Sequence, residues 1–272
     1  MRLATRFRSS YLVPVAVCAF VVSSGLTYFF AAPSPASASG SGAATAAAAG
    51  TKGPQASPTM LAEGKTLFDG SCSSCHGANA QGSSRAPNLI GVGAATVYFW
   101  VSTGRMPLAY PTAQAEPKTP SFNDAQSRAI AAYVASLGPG GPPIPTVDLQ
   151  NANLSVGQQL FATNCAACHT ITGVGDALSN GLKAPSLYPA TPTQIAAAMR
   201  TGPGNMPRFG PHNLSDQEVN DIVAYAKYLR QPTDRGGFGL GHIGPIAEGF
   251  VALVIGVGSL LFVSWWIAGK LR

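Results

Sequence analysis

The chain has 272 residues, a net charge of +6 and only 10% charged residues, with 31 Gly and 22 Pro. That length holds one large domain, or two small ones with membrane segments. Five basic residues, Arg2, Arg6, Arg8, Lys270 and Arg272, lie at the two ends, so the basicity marks membrane topology and excludes a nucleic-acid surface.

The first predicted element is residues 11–32, YLVPVAVCAFVVSSGLTYFFAA, which carry no charge and exceed the roughly 20 residues that a helix needs to cross a bilayer. The preceding arginines keep the N-terminus in the cytoplasm. The small-residue triplet Ala36-Ser37-Ala38 would suit removal of the run as an export signal. Its length favours retention as an anchor, because signal cores run to about 7–15 residues. Either way, the run exports the chain beyond it. Cys18 within the run reads as a buried, inert thiol. Residues 33–58 are Ala, Ser, Gly and Pro almost throughout and read as a tether.

Next comes GSCSSCHGANAQG, with Cys72, Cys75 and His76; the frame recurs in TNCAACHTITGVG as Cys165, Cys168 and His169. A zinc site would need four converging ligands, and each pair stands alone. A thioredoxin-like redox pair would sit in a βαβ pattern, and none is visible. A disulfide would leave the repeated His unexplained. C-x-x-C-H is the signature of covalent c-type haem attachment, two thioethers to the porphyrin and an axial His. Two covalent haems are therefore expected.

The halves match beyond the motif. Gly64 and Leu67-Phe68 answer Gly157 and Leu160-Phe161, so each motif comes after a short helix. Downstream, FNDAQSRAIAAYVASL and LSDQEVNDIVAYAKYL show apolar residues at helical spacing: Ile130, Val134 and Leu137; Ile222, Tyr225 and Leu229. Asn123 or Asp124, and Ser215 or Asp216, are N-cap candidates. A glycine in each first helix lets an aromatic of the closing helix approach, Tyr133 in one half and Tyr225 in the other. Between motif and closing helix, each half holds G-x-M-P, in GRMP with Met106 and in GNMP with Met206. A thioether favours ferrous iron and raises the potential, so Met106 and Met206 are the expected sixth ligands. Met199 is the rival for the second haem, and His212 and His242 read as surface or linker residues. Residues 139–153 and 232–246 are Pro/Gly-rich linkers. The final element, Gly249 to Ala268, is uncharged and ends in Trp265 and Trp266 before Lys270 and Arg272. It reads as a second span with a cytoplasmic C-terminus.

Each half resembles a class I cytochrome c domain, over about 61–138 and 154–231. Two such domains with a C-terminal anchor resemble the dihaem cytochrome c subunit of the actinobacterial menaquinol:cytochrome c reductase, the cytochrome bcc complex. The resemblance implies an all-α fold: a membrane or signal segment at 1–32, a linker at 33–58, cytochrome c domains at 59–138 and 154–231, and a transmembrane helix at 247–269. It implies cytochrome b and Rieske iron–sulfur partners, a terminal haem-copper oxidase as acceptor, and no substrate-converting site in the chain itself. It places the chain in the plasma membrane as a multi-pass protein with its haems outside. The alternatives are a dihaem subunit of a cbb3-type oxidase, whose anchor normally precedes its haems, and a free-standing dihaem carrier, which needs no tail span. A dihaem peroxidase or thiosulfate dehydrogenase would want an open or unusual axial position, against two matched Met candidates.

Overall fold

The computed structural model describes residues 56–110, 112, 114–179, 181–233, 240 and 245–270. The N-terminal apolar run with Cys18, the tether up to residue 55, and His242 lie outside the described residues.

Helix α1, Pro58–Ser71, begins where Ser57 accepts the amide of Met60 and Pro58 stands at the first turn, a position where a missing N–H costs nothing. The four-residue helix α2, Ser73–His76, carries the first motif. Helix α3, Ala94–Ser102, is almost wholly apolar, and α4, Asp124–Ser136, closes the half. The second half repeats the order: α5, Leu154–Asn164; α6, Ala166–His169; α7, Pro192–Thr201; and α8, Asp216–Tyr228. Reciprocal capping boxes start α4 (Asn123 with Gln126), α7 (Thr191 with Gln194) and α8 (Ser215 with Glu218). Asn123 and Ser215 are thus the caps, not the aspartates next to them.

Within each half the first helix packs on the closing helix, and the two matched glycines permit it. A Cβ at Gly64 would stand 2.1 Å from the Ala129 carbonyl oxygen and 2.9 Å from the Tyr133 Cβ; at Gly157 it would stand 2.1 Å from the Asp221 carbonyl oxygen and 3.0 Å from the Tyr225 Cβ. Behind each glycine a ring pair forms, Phe68 with Tyr133 and Phe161 with Tyr225, both with centroids 5.5 Å apart.

The fold is mostly helical but not wholly so. Strands β1, Asp176–Ala177, and β2, Lys183–Ala184, pair antiparallel, with Asp176 opposite Ala184. Gly175 and Gly181, at φ +85° and +80°, turn the chain there, and a helix could not accommodate them.

The Pro/Gly-rich connection is tied down rather than merely stiff. The Pro142 carbonyl accepts the amide of Ala95 in the first turn of α3, where Gly93 offers no side-chain cap. Ile144 packs on the first core and Val147 on the second. Asn220 and Asp221 of α8 accept the amides of Asp148 and Asn153. The halves also share a helix contact, α3 against α7. Ala196 lies in the core of the second half while its neighbour Ala197 lies, fully buried, in the core of the first.

The tail forms α9, Pro245–Val251, a π-helical segment, Ala252–Val257, and α10, Gly258–Lys270. Together they give one apolar helix, Ile246–Lys270, of mean hydropathy 2.3 and with none of its apolar window buried. Its 25 residues extend about 37 Å, enough for a bilayer core of about 30 Å. Lys270 folds its ammonium 4.5 Å over the Trp266 ring.

Candidate haem-binding sites

Each C-x-x-C-H sits at the same place, on the short helix directly after the first long helix of its half. Cys72 and Cys165 cap those long helices, donating their amides to Phe68 and Phe161. The next turn brings Cys75 and His76, or Cys168 and His169, round to bond the carbonyl of the first cysteine. Cys72 packs on the first core and Cys165 is part of the second. Burial, with a smaller contribution from the neighbouring cysteine, pushes the Cys72 and Cys165 thiols up to about 11.

Both imidazoles are buried, at 8% exposure for His76 and 9% for His169. Each has its Nδ1 at 2.9 Å from a proline carbonyl, Pro87 for His76 and Pro185 for His169. A carbonyl only accepts, so Nδ1 carries the proton, and in the neutral ring Nε2 then keeps its lone pair. That is the tautomer an iron ligand needs, with the ring aimed by a hydrogen bond behind it. Burial pushes the His169 pKa down, partly opposed by the hydrogen bond to the Pro185 carbonyl. Two thiols three positions apart and an oriented, buried imidazole fit a covalently held haem. The prolines lie outside the C-x-x-C-H motifs. They belong to a second repeated string, Ala86-Pro87-Asn88-Leu89 and Ala184-Pro185-Ser186-Leu187, legible once the halves are aligned past the cysteines.

Met106 packs on the core that Cys72 lines, and Met206 on the core that contains Cys165. Met199 is a fully buried core residue of α7, at 1% exposure, and His212 is exposed. The two Met loops are not superimposable. Thr103 and Thr201 both back-bond four residues up their helices, at 2.6 and 2.7 Å, and Gly104 and Gly202 come next at φ +70° and +62°. Gly104 therefore answers Gly202, not the Gly204 that the G-x-M-P alignment pairs with it, and Pro203-Gly204 is an insertion in the second loop.

Between the halves, a cleft of about 330 Å³ is lined by Arg105, Glu116, Lys183 and Pro185 among others. It joins the loop of Met106 to the loop that orients His169. The Gln114 side-chain amide spans it, donating to the Lys183 carbonyl at 2.6 Å and accepting the Lys183 amide at 2.9 Å. Glu116 pairs with Lys183 at 3.3 Å. Arg105 lies 4.8 Å over the Phe99 ring, and burial pushes its pKa down.

The family described as "Cytochrome c" matches residues 61–138, and that described as "Cytochrome C oxidase, cbb3-type, subunit III" matches residues 152–225. A relative from Mycobacterium tuberculosis, named "Cytochrome bc1 complex cytochrome c subunit", is 47% identical over 225 residues, 79% of this chain and 80% of the relative. Relatives of the same name from Corynebacterium diphtheriae and Mycobacterium leprae are 43% and 44% identical, over 79% of this chain in each case and 83% and 77% of the relatives. A "Cbb3-type cytochrome c oxidase subunit FixP" from Bradyrhizobium is 32% identical over only 43% of this chain. With both halves in cytochrome c families and the likeness over about four-fifths of the chain on one side, the chain belongs to the family of cytochrome c subunits of the cytochrome bc1 complex.

Proposed function

We propose that the chain is the electron-transfer subunit of a membrane quinol–cytochrome c reductase and carries two covalent haems c, at Cys72 and Cys75 and at Cys165 and Cys168. The observation that carries this reading is the duplicated imidazole, buried, proline-anchored and directly after two thiols, within a chain of this family. Each haem would supply a one-electron couple. The residues do the rest. His76 and His169, held in place by Pro87 and Pro185, would hold each haem's iron through Nε2. Met106 and Met206 supply thioethers that favour the ferrous state. On this reading the chain passes electrons and leaves substrate conversion to the rest of the complex.

The two cytochrome c domains would run over 59–138 and 154–231, the first boundary falling one residue inside α1, which starts at Pro58. Electrons would come from a Rieske iron–sulfur protein held beside cytochrome b and leave towards a terminal haem-copper oxidase. Helix Ile246–Lys270 would anchor the chain in the plasma membrane, with Lys270 and Arg272 on the cytoplasmic side, and residues 11–32 would form the second span. Both haem domains would then face outward.

Mild detergent extraction of membranes tests this. The chain should co-purify with cytochrome b and a Rieske protein, and a reduced pyridine haemochrome should give two c-type haems per polypeptide. One haem per chain, or co-purification with oxidase subunits alone, would overturn the reading.

A further inference from the structure

The loop that carries Met206 is held by a side chain that no haem motif contains. Arg200 lies on α7, two residues before Gly202, and is buried at 5% exposure. Its Nη1 donates to the Phe209 carbonyl at 3.0 Å and to the Leu214 carbonyl at 2.7 Å, and its Nη2 donates to Asp216 Oδ1 at 2.5 Å. Phe209 is three residues past Met206. Leu214 ends the loop, and Asp216 opens α8. The backbone adds one more tie, from the Phe209 amide to the Met199 carbonyl at 2.8 Å. One guanidinium therefore reaches the middle, the end and the exit of the loop at once. A planar, pre-organised fork with five donors suits three such acceptors better than the compact point of an ammonium.

Among the described residues, the first domain has no such device. Structural alignment of the two glycines puts Ser102 where Arg200 stands, and Ser102 is occupied by Gln194 of the other domain. The Met106 loop is tied instead by backbone, from the Met106 amide to the Trp100 carbonyl at 2.9 Å and from the Lys118 amide to the Thr103 carbonyl at 3.3 Å, and by one side chain, Lys118, whose ammonium donates to the Pro107 carbonyl at 2.9 Å in an exposed bond. An exposed bond of a flexible lysine holds less well than a buried one of a planar fork.

We propose that Arg200 is the positioning residue for Met206, and that it makes the second domain's methionine the firmer of two axial ligands. The inference rests on the reading of Met106 and Met206 as ligands. Arg200 touches no iron; it acts through the loop.

The test uses the full-length, haem-loaded chain in detergent, with imidazole as a competing ligand and three readouts: the ferric methionine–iron charge-transfer band, the midpoint potential of each haem, and hydrogen exchange over 202–214. In the unsubstituted chain imidazole should displace Met106 before Met206. Arg200→Lys keeps the charge and most of the stem, so the fold is retained and only the fork is lost. Imidazole affinity at the second haem should then rise about tenfold, roughly the factor carried by one charge-assisted hydrogen bond. The second potential should fall, exchange in the loop should quicken, and the first haem should not change. Arg200→Gln, which keeps a smaller planar donor, should fall between. Unchanged imidazole affinity, potential and exchange in both variants would overturn the proposal. Met206→His separates the two readings. If it alters the second haem's spectrum while the Arg200 variants do nothing, only the positioning role fails. If it leaves that spectrum unchanged, Met206 is not the ligand and the underlying reading fails.

Discussion

The side-chain amide of Gln194, in α7 of the second domain, donates to the Ser102 carbonyl at 3.0 Å and to the Ser102 hydroxyl at 3.3 Å, at the end of α3 in the first. The same side chain accepts the Thr191 amide and completes the capping box of α7. One residue thus starts a helix and joins two domains. Three positions on, Ala197 completes the first domain's core. The helices joined here are the two from which both Met loops depart, so their packing sets how the two sites stand to each other.

Ala197→Leu tests that joint. Extra volume in a filled core costs about 1–3 kcal/mol. Calorimetry should show the cooperative unfolding of the domains shift down and separate into two transitions. A single transition at an unchanged midpoint would show that the interface contributes nothing. Gln194→Ala should cost about 1 kcal/mol per lost bond and cap.

Gly64→Ala and Gly157→Ala place a methyl group on backbone carbonyls of the closing helices. Backbone cannot swing aside, so each should cost at least the upper end of overpacking, about 3 kcal/mol. Denaturant titration of the covalent haem protein should show the midpoint fall in both variants. Gly70→Ala, with open space around it, is the control and should be neutral or slightly stabilising, since alanine is the better helix former.

Thr170 occupies φ +61°, the region where its first-domain counterpart Gly77 sits at +82°. Such a conformation in a β-branched residue stores about 1–3 kcal/mol. Its hydroxyl recovers part of this by donating to the His169 carbonyl at 2.6 Å. Thr170→Gly should raise the thermal midpoint modestly and Gly77→Thr should lower it. A lower midpoint for Thr170→Gly would show that the hydroxyl bond outweighs the strain.

Asp124 gives a pH dependence of known sign. Burial pushes its carboxyl up, but the Arg128 guanidinium and the Tyr98 hydroxyl outweigh this and hold it below the usual carboxylate range. A lowered folded value means that the stabilisation is present above the ordinary carboxylate pKa of about 4. It is lost as pH falls through the folded value. The carboxylate is 61% exposed, so the effect is well under about 1 kcal/mol. Thermal midpoints of Asp124→Asn and the unsubstituted chain should differ at neutral pH and converge towards pH ~2. A difference that grows in acid would reverse the assignment.

The tail should anchor the chain without help from the N-terminus. A chain ending near Gly241, with residues 1–38 replaced by a cleavable export signal, should be soluble outside the cytoplasm. Retention in membranes after a carbonate wash would show that Ile246–Lys270 is not the anchor.

Much of the site was legible because covalent chemistry and helical periodicity are local. C-x-x-C-H is set by the reach of two thiols and an imidazole on one turn of chain. Gly64 and Gly157, with Tyr133 and Tyr225, could be paired because the two halves repeat one packing solution. The Met loops were legible only in part: G-x-M-P points to Met106 and Met206, yet it misaligns the glycines by the insertion at Pro203-Gly204.

By itself, the sequence determined two repeated helical halves, their cysteines and histidines, and an apolar tail, since each of these is written in residues a few positions apart. The tertiary structure alone decided the rest. Pro87 and Pro185 orient the imidazoles, Gln194 and Ala197 serve the other domain, Gln114 bridges to Lys183, and Arg200 holds a loop through residues up to sixteen positions away. These roles depend on donors and acceptors brought together by folding. A carbonyl or a guanidinium has no distinguishing pattern in sequence until the chain places its partner within hydrogen-bonding distance.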